Sequence, residues 1–349
     1  MHIPDGYLSP STCAVLYAGA APFWYTALRR VRRMLSTRLV PYLSIFSAFS
    51  FVVMMFNLPL PGGTTGHAVG VGVAAIVLGP WASMLAISVA LFIQALFFGD
   101  GGITALGANC FNMAIVGSGV AWAVFKLTSG GAESSSRRKV IAAAVAGYAA
   151  INASALCAAI EFGVQPMLFH DAMGTPLYAP YPLSVALPAM MIGHLTIAGC
   201  AEAVLSGGVL SYLLRSESPL VARLHAQDGQ GSVQSMRPLW VGLCLLLLAT
   251  PLGVLAAGSA WGEWSPRDLG DAQAREQIAA QSLNHALPVQ VPSGLERLSS
   301  AWTSPFPQYA PAFVKSASFG YLLSAMFGVG LILGLWLLVR ALLGRRGDA

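Results

Sequence analysis

The stretch Trp81–Phe98, WASMLAISVALFIQALFF, carries no charge from end to end, and its reading decides the fold. An uncharged apolar run of about 20 residues crosses a bilayer as a helix. Working outward, comparable runs lie near 11–28, 40–57, 109–127, 139–164, 184–214, 237–257 and 318–339. A shorter run, 67–79, ends on Gly79-Pro80 and is either a short helix or half of a helical hairpin with 81–98. Counting it predicts about nine membrane helices. The whole chain agrees: of 349 residues, 56% are hydrophobic and only 9% charged, with mean hydropathy +0.67. A soluble domain carries about 25% charge. The fold class read here is an all-α polytopic membrane protein.

The net charge of +5 points to topology rather than to a nucleic-acid partner. Arg29, Arg30, Arg32, Arg33 and Arg38 follow the first run; Lys126, Arg137, Arg138 and Lys139 lie between the fifth and sixth. Arg215, Arg223 and Arg237 flank a polar linker, 216–236, and Arg340, Arg345 and Arg346 come last. Basic residues mark the cytoplasmic side, so the N-terminus is expected outside and the C-terminus inside. Only Arg267, Arg275, Arg297 and Lys315 fall on the other side, in a segment 258–317 expected to be irregular or a small module. The opening MHIPDG lacks the basic region of a cleavable signal peptide. The five cysteines, Cys13, Cys110, Cys157, Cys200 and Cys244, sit in apolar stretches and read as small buried hydrophobes.

This topology puts Met1, His2 and His67 on one side. A free α-amine, the deprotonated amide nitrogen of residue 2 and the imidazole of that residue can wrap one metal ion in fused chelate rings. His67, after the turn-rich Pro59-Leu-Pro-Gly-Gly-Thr-Thr-Gly66, would complete four nitrogens near a water-facing surface. Such a set suits Ni(II) or Cu(II), with Co(II) possible, and suits Mg or Ca badly. The plainer alternative is a start codon followed by a chance histidine.

Other motifs carry two readings each. The loop Gly99-Asp100-Gly-Gly-Ile-Thr-Ala-Leu-Gly-Ala-Asn109, with Gln94 one turn before it and Asn112 one turn beyond, is either hydrogen-bonding support for the ligands or a tight turn. Glu161, His194 and Glu202 lie inside apolar runs, where ionisable groups are costly; they line a pathway or hold helices together. Ala14, Ala18 and Ala21 suit close helix packing. His170-Asp171 and His285 read as solvated loop residues. No GxxxxGK[ST], HExxH or GxSxG occurs, which argues against an ATPase, a zinc protease or a hydrolase.

Met1-His-Ile-Pro-Asp-Gly-Tyr-Leu-Ser-Pro10, Gly62-Gly-Thr-Thr-Gly-His67 and Gln94-Ala-Leu-Phe-Phe-Gly-Asp-Gly-Gly-Ile-Thr-Ala-Leu-Gly-Ala-Asn109-Cys-Phe-Asn112 resemble the substrate-capture subunit of energy-coupling-factor nickel and cobalt transporters, the CbiM/NikM type. The resemblance covers 1–215. It implies a seven-helix bundle and assigns the Met1 amine, the His2 amide and imidazole, and the His67 imidazole to the metal. Residues 237–349 resemble the small CbiN/NikN component through Pro251-Leu-Gly, Gly258-Ser-Ala-Trp-Gly-Glu-Trp264 and Pro292-Ser-Gly-Leu-Glu-Arg297, with Ser293 where Asp is usual. A two-helix tail follows from that. The implied protein is a multi-pass importer subunit of a prokaryotic cell membrane. Its cargo is Ni(II) or Co(II), with no permanent cofactor. Its partners are a transmembrane coupling subunit, cytoplasmic ATPases and lipid. The rival readings are a stand-alone permease using His194 and Glu202 as an ion relay, and a metal receptor that does not transport.

Overall fold

Helix α1 (Pro10–Met34) leaves the N-terminal segment and runs away from it; α2 (Leu39–Met54) returns. The structure, a computed structural model, describes residues 1–34, 39–130, 134–216, 237–256 and 258–344. All but the first residue of the linker 216–236 lies outside the described residues. After α2 the chain makes a small antiparallel hairpin, β1 (Leu58–Leu60) with β2 (Thr64–Gly66), paired Leu58 to Gly66 and Leu60 to Thr64. Its turn needs the left-handed region twice, and Gly62 (φ 89°) and Gly63 (φ 84°) supply it. The turn-rich loop foreseen here is therefore a hairpin.

Helix α3 (Val71–Leu78) has only eight residues, about 12 Å at 1.5 Å per residue. It does not cross a bilayer alone. The loop before it enters the bundle, which is permitted because protein surrounds it on every side. α3 packs against α4 (Pro80–Ile93), α6 (Gly117–Thr128), α7 (Ser136–Leu168) and α9 (Gly199–Arg215). Close approach here depends on small residues. A Cβ on Gly72 would stand 2.3 Å from Ser206 Oγ and 2.7 Å from Gly147 Cα.

Among the described residues, five helices are long and apolar enough to cross a membrane: Pro80–Phe98, Leu106–Thr128, Ser136–Leu168, Leu183–Arg215 and Ala317–Leu342. Val40–Met54 and Leu239–Leu255 are apolar but shorter. Three of the long helices contain π turns: Gln94–Phe98 after α4, Cys110–Val116 between α5 (Leu106–Asn109) and α6, and His194–Ala198 between α8 (Leu183–Gly193) and α9. π turns concentrate at functional positions because they widen the helix and free backbone carbonyls. Gln94, Asn112 and His194 each lie in one.

The C-terminal part begins with α10 (Arg237–Ala249) and ends with α14 (Ala317–Gly344), which packs on α2 and α4. Between them residues 258–316 carry short helices α11 (Pro266–Gly270), α12 (Ala272–Gln281) and α13 (Ser293–Leu298). This segment buries Trp261, Trp264, Leu269, Ile278 and Leu295 against the N-terminal end of the bundle. It makes a lid rather than an independent module.

Candidate metal centre

Residues 1–9 do not trail outward; they plug into the bundle. Asn109, at the end of α5, holds Ile3 by both backbone groups: the Ile3 N–H donates to Oδ1 (2.8 Å) and Nδ2 donates to the Ile3 carbonyl (3.1 Å). Gly102 N–H adds a second donor to that carbonyl at 2.9 Å. The Asp5 carboxylate in turn accepts the N–H groups of Ile103 and Thr104 and the Thr104 hydroxyl. Gly102 must be glycine, since a Cβ would meet Asp5 N at 2.3 Å. The loop 99–109 is thus the cradle of the N-terminal segment as well as a turn.

This anchoring sets His2 against His67, with ring centroids 4.9 Å apart and planes tilted by 31°. The His67 Nδ1 lies 3.0 Å from the Ala68 carbonyl. A carbonyl only accepts, so the proton sits on Nδ1 and Nε2 carries the lone pair. That Nε2 is buried without a partner. The His2 Nδ1 stands 2.6 Å from Asp100 Oδ1, and its Nε2 is buried with no partner among the described residues. The backbone N–H of His2 also makes no hydrogen bond among the described residues. Buried polar atoms are paired as a rule. The Nε2 atoms of His2 and His67 are exceptions to that rule among the described residues.

Met1 brings a further nitrogen. Its α-amine donates to Glu263 Oε1 at 3.3 Å, from a residue only 3% exposed. Glu263 belongs to the lid. Burial pushes the His67 imidazole down to about 3, and the His2 ring and the amine push the same way. Burial would by itself raise the Asp100 carboxyl; the His2 ring, with His67 and the Tyr309 hydroxyl, outweighs it and holds the group well below the usual carboxylate range. The His67 ring is therefore neutral, with its Nε2 lone pair free, near an ionised carboxylate.

The other sequence-derived candidates divide. Gln94 Nε2 donates to Asp100 Oδ2 (3.1 Å) and to the Tyr309 hydroxyl (2.9 Å), and Tyr309 donates to the same Asp100 oxygen at 2.6 Å. Gln94, Asp100 and Asn109 thus join the site. Asn112 does not: it donates to Glu161 at 2.7 Å, between α7 and the π turn Cys110–Val116. His194 repeats the state of His67, with Nδ1 on the Met190 carbonyl at 2.8 Å and a buried, unpartnered Nε2. Glu202 accepts the N–H groups of Val69 and Gly70 on Oε2 and of Gly72 on Oε1, at 2.7, 2.8 and 3.1 Å.

The sequence reading placed the ligands near a water-facing surface. They are instead sunk into the bundle, with His2 1% and His67 5% exposed, because the lid closes over them. Sequence reasoning missed Asp5, Glu263 and Tyr309. Asp5 and Glu263 lie inside motifs quoted for resemblance, so a signal existed for both; Tyr309 had none. The Pro292–Arg297 motif forms α13, whose Leu295 N–H bonds the Leu177 carbonyl (3.1 Å) and whose Leu295 carbonyl lies where a Cβ on Gly6 would be (2.6 Å). That is how this motif presses on the N-terminal segment.

A family profile described as the cobalt uptake substrate-specific transmembrane region, CbiM, matches residues 2–220, and a PDGLE domain matches 236–345. The chain is 54% identical to the fused nickel transport protein NikMN of Rhodobacter capsulatus, over 99% of its own length and all of the relative's. It is 40% identical to the probable fused nickel transport protein LarMN of Lactiplantibacillus plantarum, over 98% and 97%. With the cobalt transport protein CbiM of Geobacter sulfurreducens the identity is 32%, over 76% and 74%. A crystal structure of a truncated transition metal transporter matches with TM-score 0.57 and 51% identity, covering 62% of this chain and all of that one.

Proposed function

Since the chain belongs to the CbiM family of transmembrane nickel and cobalt transport proteins, with a PDGLE domain behind it, we propose that it captures its cargo ion on four nitrogens: the Met1 amine, the His2 amide and Nδ1, and the His67 Nε2. The observation that carries this is the placing of the His2 and His67 rings 4.9 Å apart, with the His67 Nε2 buried and unpartnered and the His2 Nδ1 against the Asp100 carboxylate. The imidazole nitrogen that can close a ring with the amide of its own residue is Nδ1, so the amine, amide and Nδ1 form two fused chelate rings and His67 takes the fourth corner. Nδ1 then leaves its contact with Asp100, and the amine its bond to Glu263. Both carboxylates stay near to balance a dication that one amide anion only half neutralises.

Strong in-plane nitrogen donors favour square-planar Ni(II), a d8 ion; Co(II) fits the same donors, and Cu(II) binds at least as tightly, so supply in the cell selects among them. Residues 1–215 form the capture bundle, 216–236 the linker and 237–349 the part that lids it. The N-terminus faces outside and the C-terminus the cytoplasm, as the basic residues direct. With no phosphate-binding loop of its own, the protein works as the capture component of an energy-coupling-factor importer. A separate transmembrane coupling subunit and cytoplasmic ATPases drive release. The ion-relay reading of Glu202 loses its support, because both of its oxygens are engaged by backbone N–H groups.

The test is metal analysis of purified protein with a visible spectrum. One equivalent of nickel, diamagnetic and with a planar d–d band, is expected. Paramagnetic six-coordinate nickel would place the ion on oxygen donors and end this reading.

A further inference from the structure

Glu202 stands out by its burial: it is 0% exposed, yet its partners are backbone atoms of another segment. Helix α3 has no side-chain cap of its own. Gly70, before its first turn, has φ 75°, a left-handed conformation that leaves the first N–H groups without local acceptors. Glu202 from α9 supplies them. One carboxylate takes the N–H groups of Val69, Gly70 and Gly72, and Ser206 Oγ donates to Oε1 at 3.3 Å. Val69 is two residues from His67, whose Nδ1 is tied to the intervening Ala68. The path from Glu202 to the ring of His67 is short, with a hydrogen bond at each end and two residues of backbone between.

We propose that Glu202 is the positioning residue for His67: it clamps the entry to α3 so that the His67 Nε2 points at the centre. The carboxylate reaches this entry from another helix, so the placing of His67 depends on how α9 packs against α3. The proposal rests on His67 being a ligand.

The test uses the full chain in detergent with Ni(II) as the probe, reading affinity by chelator competition and geometry by the visible spectrum. Hydrogen-bond partners of metal ligands typically cost about 10- to 100-fold in affinity when changed. Glu202→Gln should lose affinity in that range with a displaced d–d band. Glu202→Asp keeps the charge but falls one methylene short, and should lie between. The decisive arm is the pair. In a His67→Ala background, Glu202→Gln should add no further loss, because its effect passes through that ring. Should Glu202→Gln not fold, Glu202→Asp decides alone and in the same background. Wild-type affinity and spectrum in both Glu202 variants would overturn the proposal, and so would a full additional loss in the His67→Ala background. Normal nickel binding by His67→Ala alone would overturn the four-nitrogen site, and this inference with it.

Discussion

Asn109→Ala tests whether the N-terminal segment is preorganised or merely tethered. The side chain makes two bonds to Ile3, at 2.8 and 3.1 Å. They are not equivalent. The Ile3 carbonyl keeps the Gly102 N–H when Asn109 is cut back. The Ile3 N–H keeps nothing, and Ile3 is fully buried. One orphaned buried donor costs about 1–3 kcal/mol. At about 1.4 kcal/mol per decade, 2 kcal/mol is close to 30-fold in affinity. The cost appears in metal binding because His2 and Met1 precede Ile3 and have no comparable anchor of their own. Nickel competition titration of the purified variant should therefore show a loss of about 30-fold. Asn112→Ala is the control: same residue type, less than a turn further on, but donating to Glu161 instead. It should bind within about threefold of wild type. An Asn109→Ala protein that also binds within threefold, or two variants that lose equally, would refute the reasoning.

Placing residues before Met1 turns the amine into an amide and forces extra chain beneath the lid, so an N-terminal tag should abolish tight nickel binding in an equilibrium assay while a C-terminal tag does not. His67→Ala, which leaves the three-nitrogen chelate, should weaken nickel binding measurably, and His2→Ala should impair it and displace the planar nickel spectrum, with the metal-free protein still eluting as a folded particle. Because burial holds His67 at about 3, its ring should show no titration by NMR between pH 8 and 4.5. The unfolded ring takes a proton below about 6.5 and the folded one does not, so metal-free stability should fall with pH through that window by up to about 1.4 kcal/mol per unit, and His67→Gln should flatten the slope.

The membrane class was legible because hydrocarbon imposes one rule over whole segments, and Trp81–Phe98 obeys it without exception. That Met1, His2 and His67 could meet was legible because Met1-His2 with a histidine at the head of a later segment is a chemical pattern that needs little geometry, and the two rings do lie 4.9 Å apart. Depth was not legible. The run 67–79 looks like one apolar stretch, yet helix begins only at Val71, since Gly70 takes a left-handed turn and Glu202 caps from elsewhere. The partner of that cap lies more than 130 residues away, and a sequence offers no distance between them. Asn109 and Asn112 read alike on paper; a π turn beginning between them sends one toward Ile3 and the other toward Glu161.

The part played by residues 258–316 follows from backbone bookkeeping. The π turn Gln94–Phe98 ends α4 with carbonyls that no helical N–H takes up. Trp302 Nε1 bonds the Leu96 carbonyl at 2.8 Å and the Phe306 N–H bonds the Phe97 carbonyl at 2.9 Å. Two residues beyond, Asp100 receives Tyr309 at 2.6 Å. On the opposite side the lid binds the N-terminal segment itself, with the Tyr7 hydroxyl on the Trp264 carbonyl at 2.6 Å and Glu263 on the Met1 amine at 3.3 Å. The lid therefore touches the carboxylate beside His2 and the amine of Met1 at once. If the ion is held on the four nitrogens as proposed, it reaches them only after these contacts part, and Glu263 and Asp100, whose side chains are 23% and 17% exposed, are the carboxylates that lose their partners.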